Sequence, residues 1–265
     1  MYTRLQLAKK YLDYYLAASN GKGHGVHSPF VFDFIKNVLN DKKNYQEYNS
    51  IEKLRKELLK DNRVIEVEDL GAGSLAVPHK QKKVSDIAGS FLKPKKFAQL
   101  LFRIVKYYKP KTIIELGTSL GITSAYLASV DKSAEVYTLE GSENTAAIAQ
   151  QNFDKLGLEN IKLIRGNFDE TLPGLVSYLA KVDLAFVDGN HRKEPTLNYF
   201  NQFLQRTAEE SIFIFDDIHW SAEMEEAWDE IRQHPSVTLT IDLFFIGLVF
   251  FKKDFKAKQH FSIRF

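Results

Sequence analysis

The chain contains no cysteine, which excludes disulfides, thiolate metal sites and cysteine nucleophiles. It also lacks an uninterrupted apolar run of transmembrane length; the longest candidate, residues 243–251, is strand-sized. Residues 1–16 are amphipathic and studded with charge, without the continuous apolar centre of a signal peptide. A cytoplasmic protein without membrane contact is the default expectation. Net charge is small too, +2, but its distribution is uneven. Between residues 80 and 111 ten basic residues (Lys80, Lys82, Lys83, Lys93, Lys95, Lys96, Arg103, Lys106, Lys109, Lys111) face a single acid, Asp86. That segment reads as a solvated face or as an entrance for an acidic substrate or a nucleic acid.

What is present suffices for a large core. The 265 residues are 44% hydrophobic, with 20 Phe and 12 Tyr. This length fits one α/β domain plus an extra segment, or two small domains. The pattern divides the chain into an N-terminal helical extension or cap with a long loop, residues 1–94, and a second domain, residues 95–265.

Residues 2–18 carry Leu5, Leu7, Ala8, Leu12, Tyr15 and Leu16 at helical spacing. A loop of alternating glycines with His24 and His27 follows, and Ser28-Pro29 then caps a helix with Phe30, Val31, Phe34, Ile35, Val38 and Leu39 on one face. The two histidines have no obvious third ligand nearby. Another amphipathic helix covers 51–60. Residues 68–73, Glu-Asp-Leu-Gly-Ala-Gly, imitate a nucleotide loop, but Pro78 and the polar run 80–83 leave no helix face behind it, and the strand before it is poor because Glu66, Glu68 and Asp69 would be buried in a parallel sheet. Residues 70–90 therefore read as a long loop or lid. Pro94 starts a helix with Phe97, Leu100, Leu101, Ile104 and Val105 inward.

From residue 112 strands and helices alternate, which predicts a doubly wound, Rossmann-like sheet. Strands are expected at 112–116, 135–139, 161–164, 182–187 and 211–215, with helices between them. Two late strands at 237–241 and 244–251 are joined too tightly for a parallel crossover and must be antiparallel. In such sheets ligands bind beyond the carboxyl ends of the strands. Those ends carry Glu115-Leu116-Gly117, Glu140-Gly141, Gly166-Asn167, Asp188-Gly189-Asn190-His191 and Asp216-Asp217. A strand-ending turn accounts for any one of these, but not readily for all five. The first end continues into Gly117-Thr118-Ser119-Leu120-Gly121 and a helix, a layout that presents backbone N–H groups to a polar ligand. Glu140 lies 23 positions after Gly117, near the spacing at which a carboxylate takes ribose hydroxyls in dinucleotide folds.

The run from Glu115 through Gly117, Thr118, Ser119 and Gly121 to Ser124 resembles the cofactor loop of class I S-adenosylmethionine-dependent methyltransferases. It is most similar to the small-molecule O-methyltransferases of the catechol and caffeoyl-CoA type, over about residues 95–251. The resemblance implies a seven-stranded sheet of order 3-2-1-4-5-7-6 with an antiparallel last-numbered strand, and S-adenosylmethionine as cofactor. It implies that Glu140, followed by Gly141, holds the ribose hydroxyls. Asn167 and Phe168 would contact adenine, and the Gly117 loop would pass the methionine moiety. Asp188, Asp216 and Asp217 match the metal ligands of metal-dependent members, for Mg²⁺, Ca²⁺ or Mn²⁺. Asp188 stands near the reacting groups in this scheme. The chain departs from the catechol-type pattern at His191, where those enzymes have a lysine, and at Asn167, where Asp is commoner. His191 is the first candidate general base and His219 the second.

Three functions remain open on sequence alone. One is O-methylation of a small hydroxylated or acidic molecule, with or without a divalent metal. Another is methylation of RNA through the basic segment with its interleaved Phe91, Phe97, Tyr107 and Tyr108. The third is a non-catalytic nucleotide-binding module of the same fold. The aromatic N-terminal helices could cover their own site or that of a second copy in a homodimer.

Overall fold

The computed structural model describes residues 1–68 and 80–265. In chain order its helices and strands begin with α1 (Arg4–Ala17) and α2 (Pro29–Phe34), which runs into a π-helical turn at Ile35–Leu39. Then follow α3 (Glu47–Leu58), β1 (Val64–Val67), β2 (Lys80–Lys83), α4 (Val84–Phe91) and α5 (Lys95–Tyr108). The alternating part comprises β3 (Thr112–Leu116), α6 (Ile122–Ala128), β4 (Glu135–Glu140), α7 (Glu143–Leu156), β5 (Ile161–Arg165) and α8 (Phe168–Tyr178). It continues with β6 (Val182–Val187), α9 (Lys193–Leu204), β7 (Thr207–Asp216) and α10 (Ala222–Gln233). The chain closes with β8 (Leu239–Asp242), β9 (Ile246–Phe250) and β10 (Gln259–Ser262). The folded chain divides into two compact units, Lys42–Leu175 and the combination of Met1–Asp41 with Val176–Phe265.

In Lys42–Leu175, β4 lies between β3 and β5 and all three run parallel. Ile113, Ile114, Glu115 and Leu116 are buried in β3, as a parallel strand covered on both faces requires. The core of this unit joins Ile51, Leu54 and Leu58 of α3, Ile87 of α4, Phe102 of α5 and Tyr126 of α6. Ser142 caps α7, accepting the Thr145 N–H, and Gly157 ends that helix with φ 64°.

In the other unit the order is β6-β7-β9-β8-β10. β6 and β7 are parallel, β9 runs antiparallel to both β7 and β8, and β10 is parallel to β8. The runs β5-β4-β3 and β6-β7-β9-β8 are the two halves of the expected order 3-2-1-4-5-7-6. β10 was not anticipated. Its Gln-His-Phe-Ser sequence carries one large apolar residue, so no period-2 hydrophobic signal marks it. α2 buries Val31 and Phe34, and Ile35 and Val38 are buried in the turn beyond it, the face its sequence predicted.

Two expectations are corrected. The segment 70–90 is not loop throughout: residues 80–83 form β2 and 84–91 form α4, while residues 70–79 lie outside the described residues. Val64–Val67, whose acidic content argued against a buried strand, is instead half of an antiparallel two-stranded ribbon with β2. Its charged side chains stay in water, so the objection to burying them does not apply. α1 also forms as expected, through a capping box between Thr3 and Gln6, but its leucine face points outward. Leu5 is 85% exposed and Leu16 69%, whereas Tyr11 and Tyr14 pack against Phe244.

Gly247 shows how tightly this unit is packed. A Cβ there would meet the Trp228 ring at 2.6 to 3.0 Å, and Trp228 is itself buried. Gly247→Ala should lower the free energy of unfolding by about 1–3 kcal/mol through overpacking, measured by urea denaturation. An unchanged midpoint would contradict this packing.

Candidate functional site

The loop after β3 is shaped from beneath. Glu115 is fully buried, and its carboxylate accepts the Ser124 hydroxyl of α6 and the Thr138 hydroxyl of β4, the latter at 2.7 Å. Thr118 Oγ1 meets Thr138 Oγ1 at 2.6 Å. The N–H groups of Gly117 and Thr118 both donate to the Leu139 carbonyl, at 3.0 and 3.1 Å. Gly117, Ser119 and Gly121 take φ of 101°, 49° and 80°. At Gly121 a Cβ would come within 2.5 Å of the Phe153 ring of α7, so both its backbone and its neighbours demand glycine. Of the expected cofactor residues, Glu115, Thr118 and Ser124 are thus buried supports of the loop.

Glu140 ends β4 and closes the loop from the other side. Its carboxylate accepts the Ser119 N–H at 2.8 Å and the Ser142 N–H at 2.9 Å. Burial raises its pKa above the usual carboxylate value, while N–H groups of Ser142, Ser119 and Gly141 pull the other way. An ionised carboxylate has about four acceptor positions, so three N–H donors leave room for a hydroxyl. The Glu140 carbonyl accepts the Gly166 N–H at 2.9 Å, which brings the turn after β5 to the same rim. There Asn167 caps the start of α8: its Oδ1 accepts the Asp169 N–H at 3.0 Å and its carbonyl the Thr171 hydroxyl at 2.8 Å. Phe168, half-buried, is the first residue of that helix. Ser119, Glu140, Gly141, Asn167 and Phe168 therefore sit together on one unit.

The acidic rim belongs to the other unit. Val187 of β6 and Phe215 of β7 are register partners, so Asp188 and Asp216 leave adjacent parallel strands side by side. Asp188, His191 and Asp216 each offer a ligand atom, and these atoms lie within 4.8 Å of one another. His191 Nε2 is 3.8 Å from Asp188 Oδ1. Asn190, at φ 52°, makes the turn that presents His191; its side chain accepts from Arg192 Nε at 2.9 Å and donates to the Tyr199 hydroxyl at 3.3 Å. Asp217 does not join this group. It takes φ 52°, donates its N–H to the Phe245 carbonyl at 2.7 Å and accepts the Trp220 N–H. Two carboxylates and an imidazole are a fitting donor set for a divalent ion. His24 and His27 belong to no such group among the described residues.

His219 stands apart from the Asp188 group. Its Nδ1 lies 3.0 Å from Glu225 Oε1 and its Nε2 2.8 Å from Asp242 Oδ2. Glu225 also binds the Tyr2 hydroxyl at 2.7 Å and Lys10 at 2.9 Å. With both ring nitrogens engaged, His219 is poorly placed to take a proton from a substrate. Glu225 and Asp242 were not recognised from sequence; an Asp at the end of a late strand reads as an ordinary turn residue. The basic segment is dispersed as well. Arg103 is buried on α5, Lys111 pairs with Asp131 at 2.7 Å, and Lys82 and Lys106 lie over the rings of Phe91 and Tyr45.

Residues 114–218 match a family model described as a methyltransferase domain. Over 126 residues the chain is 33% identical to the catechol O-methyltransferase of Niastella koreensis, covering 46% of this chain and 55% of that protein. The chain thus spans about half the length of this curated relative. Among solved structures, the SAH-bound methyltransferase of Podospora anserina superposes with a TM-score of 0.58 at 16% identity, over 85% of this chain and 97% of the other. An O-methyltransferase of Bacillus cereus in complex with SAH gives 0.56 at 17% identity, over 83% and 97%. At such identities the likeness establishes the fold, the Rossmann-like, mostly parallel sheet with an antiparallel late strand that these methyltransferases share.

The surroundings of His219 give a pH signature. Burial works against its charged form, but the Asp242 and Glu225 carboxylates outweigh burial and raise its pKa above the ordinary 6.5. Its contribution to stability is then fully present below pH 6.5 and is lost as pH rises through the folded-state value. The stability of the wild type relative to His219→Gln should fall over that interval in urea denaturation. A difference independent of pH would contradict the paired, protonated ring.

Proposed function

We propose that this chain transfers the methyl group of S-adenosylmethionine to an oxygen of a small hydroxylated or acidic molecule. The observation that carries this proposal is the convergence of Asp188, His191 and Asp216 within 4.8 Å at the ends of β6 and β7. A dinucleotide-binding module would have no evident use for that trio. Support for the cofactor comes from Glu140, already anchored by the Ser119 and Ser142 N–H groups, with acceptor capacity left for ribose hydroxyls. The backbone of Gly117 to Gly121 is assigned to the methionine moiety, and Asn167 with Phe168 to the adenine. Residues 95–265 make the cofactor-binding domain in this assignment, and residues 1–94 an N-terminal extension.

Methyl transfer needs an oxygen nucleophile, and a neutral hydroxyl is a weak one. Asp188 and Asp216 would hold a divalent ion. Such an ion, when bound, lowers the pKa of a coordinated hydroxyl and orients it. His191 accepts the hydroxyl proton, and the imidazolium so formed is paired with Asp188 at 3.8 Å. Ligating the ion and taking the proton are exclusive uses of one ring nitrogen; the proton is given to His191 here and the ion to the carboxylates. The relative's printed name points to a catechol as acceptor, and a vicinal diol suits a pair of carboxylates sharing one ion.

Incubation with methyl-labelled S-adenosylmethionine, Mg²⁺ and catechol should yield labelled O-methyl product, lost on adding chelator. Asp188→Asn should reduce turnover about 100-fold or more. Turnover that survives chelation would remove the metal from the mechanism and leave the transferase. Absence of transfer to catechol and to a panel of phenols and carboxylic acids would overturn the proposal.

A further inference from the structure

His219 lies three residues beyond Asp216, and its surroundings connect it to that residue by a continuous set of contacts. Asp242 ends β8 and uses both carboxylate oxygens: Oδ2 meets His219 Nε2 at 2.8 Å, and Oδ1 accepts the Phe244 N–H at 2.7 Å. Phe244 is held at φ 70°, a conformation unfavourable for a bulky side chain. The His219 ring lies against the Phe244 ring, with centroids 5.1 Å apart and planes at 27°. From the opposite element, Tyr11 and Tyr14 of α1 close over Phe244 at 5.0 and 5.3 Å. The next residue, Phe245, offers its carbonyl to the Asp217 N–H at 2.7 Å, and Asp217 is itself left-handed at φ 52°. Asp216 pairs in register with Ile246. The left-handed Asp217 is thus hydrogen-bonded to the residue that follows the left-handed Phe244, directly beside Asp216, and such conformations persist only where their surroundings hold them.

We infer that His219 is a positioning residue: by gripping Asp242 and stacking on Phe244 it fixes the turn 243–245, which in turn fixes the backbone of Asp217 and the carboxylate of Asp216 toward Asp188. This inference rests on the proposal above that Asp188 and Asp216 hold a divalent ion. It replaces the general-base role that sequence had offered for His219. It also gives α1 a purpose, since Lys10 on that helix, with Tyr2 just ahead of it, holds Glu225 on the other side of the same ring.

The test uses the full chain and Mn²⁺ as probe, with free Mn²⁺ read by electron paramagnetic resonance and the Asp217 amide by hydrogen exchange. His219→Ala should weaken Mn²⁺ binding about 10-fold to 100-fold, as loss of a group orienting a metal ligand does, and speed exchange at Asp217. His219→Gln can still donate to Asp242 and should retain most of the Mn²⁺ affinity, although glutamine cannot act as a base. If His219→Ala fails to fold by circular dichroism, Asp242→Asn breaks the same link at nearly constant volume and should show the same loss. Unchanged Mn²⁺ affinity and unchanged exchange in the folded variants would overturn the inference. So would intact Mn²⁺ affinity with activity abolished equally in the Ala and Gln variants, the mark of a general base. If the wild type itself binds no Mn²⁺, the metal proposal fails by a separate observation. Exchange at Asp217 then decides whether His219 holds the turn: faster exchange in His219→Ala upholds that link, and no change overturns it.

Discussion

The Glu140 carboxylate, buried at the end of a parallel strand, needs donors, and the donors available are backbone N–H groups of the neighbouring turns. Ser119 and Ser142 supply them. That requirement fixes the loop after β3 in a left-handed path at Ser119, with glycines at 117 and 121 where the chain turns most sharply. Glu115, Ser124, Thr138 and Thr118 complete the scaffold from below. A ligand meeting this rim finds a loop already ordered, so little conformational entropy remains to be lost on binding. The raised pKa of Glu140 is the electrostatic cost of the same arrangement, and hydroxyl donors from a ribose would relieve it.

Across the acidic rim the physical problem is different. Asp188 and Asp216 are neighbours because β6 and β7 run parallel in register, and like charges so placed repel unless a cation or proton intervenes. Left-handed backbone at Asn190, Asp217 and Phe244 shows where the chain departs from relaxed geometry. Asn190 and Asp217 flank the Asp188 group, and Phe244 precedes the residue whose carbonyl accepts the Asp217 N–H. Strain concentrated there, while β8 and β9 are regular and fully buried, is the distribution expected of a functional rim held by a rigid sheet.

Much of this was legible in the sequence because it rests on local rules. The β-branched run 112–116 and the glycines after it announce a buried strand and a turn into a helix, and both are present. Ser28-Pro29 announced a helix start that the structure contains. The acids at strand ends were visible since strand ends are visible, and Asp188 and Asp216 do meet. What stayed hidden depends on contacts between distant segments. That His191 rather than Asp217 would complete the group turns on the φ of two residues, which no spacing encodes. The His219 network joins α1, α10 and the end of β8, so a histidine near two acids in sequence read as a base. α1 misled by periodicity, since its leucines form the more obvious stripe while its tyrosines find the aromatic partners. β1 was rejected on the premise of a buried parallel strand, and an exposed antiparallel ribbon imposes no such limit on acids.

In the function proposed above, the loop 117–121 and Glu140 form one preorganised cradle for the adenosyl cofactor. Calorimetric titration of the purified chain with S-adenosylhomocysteine, repeated on Glu140→Ala, tests it most directly. Binding in the micromolar range that weakens at least about tenfold on losing the carboxylate, a change of about 1.4 kcal/mol, is the result expected. No binding by the wild type, or equal binding by both proteins, would contradict the account.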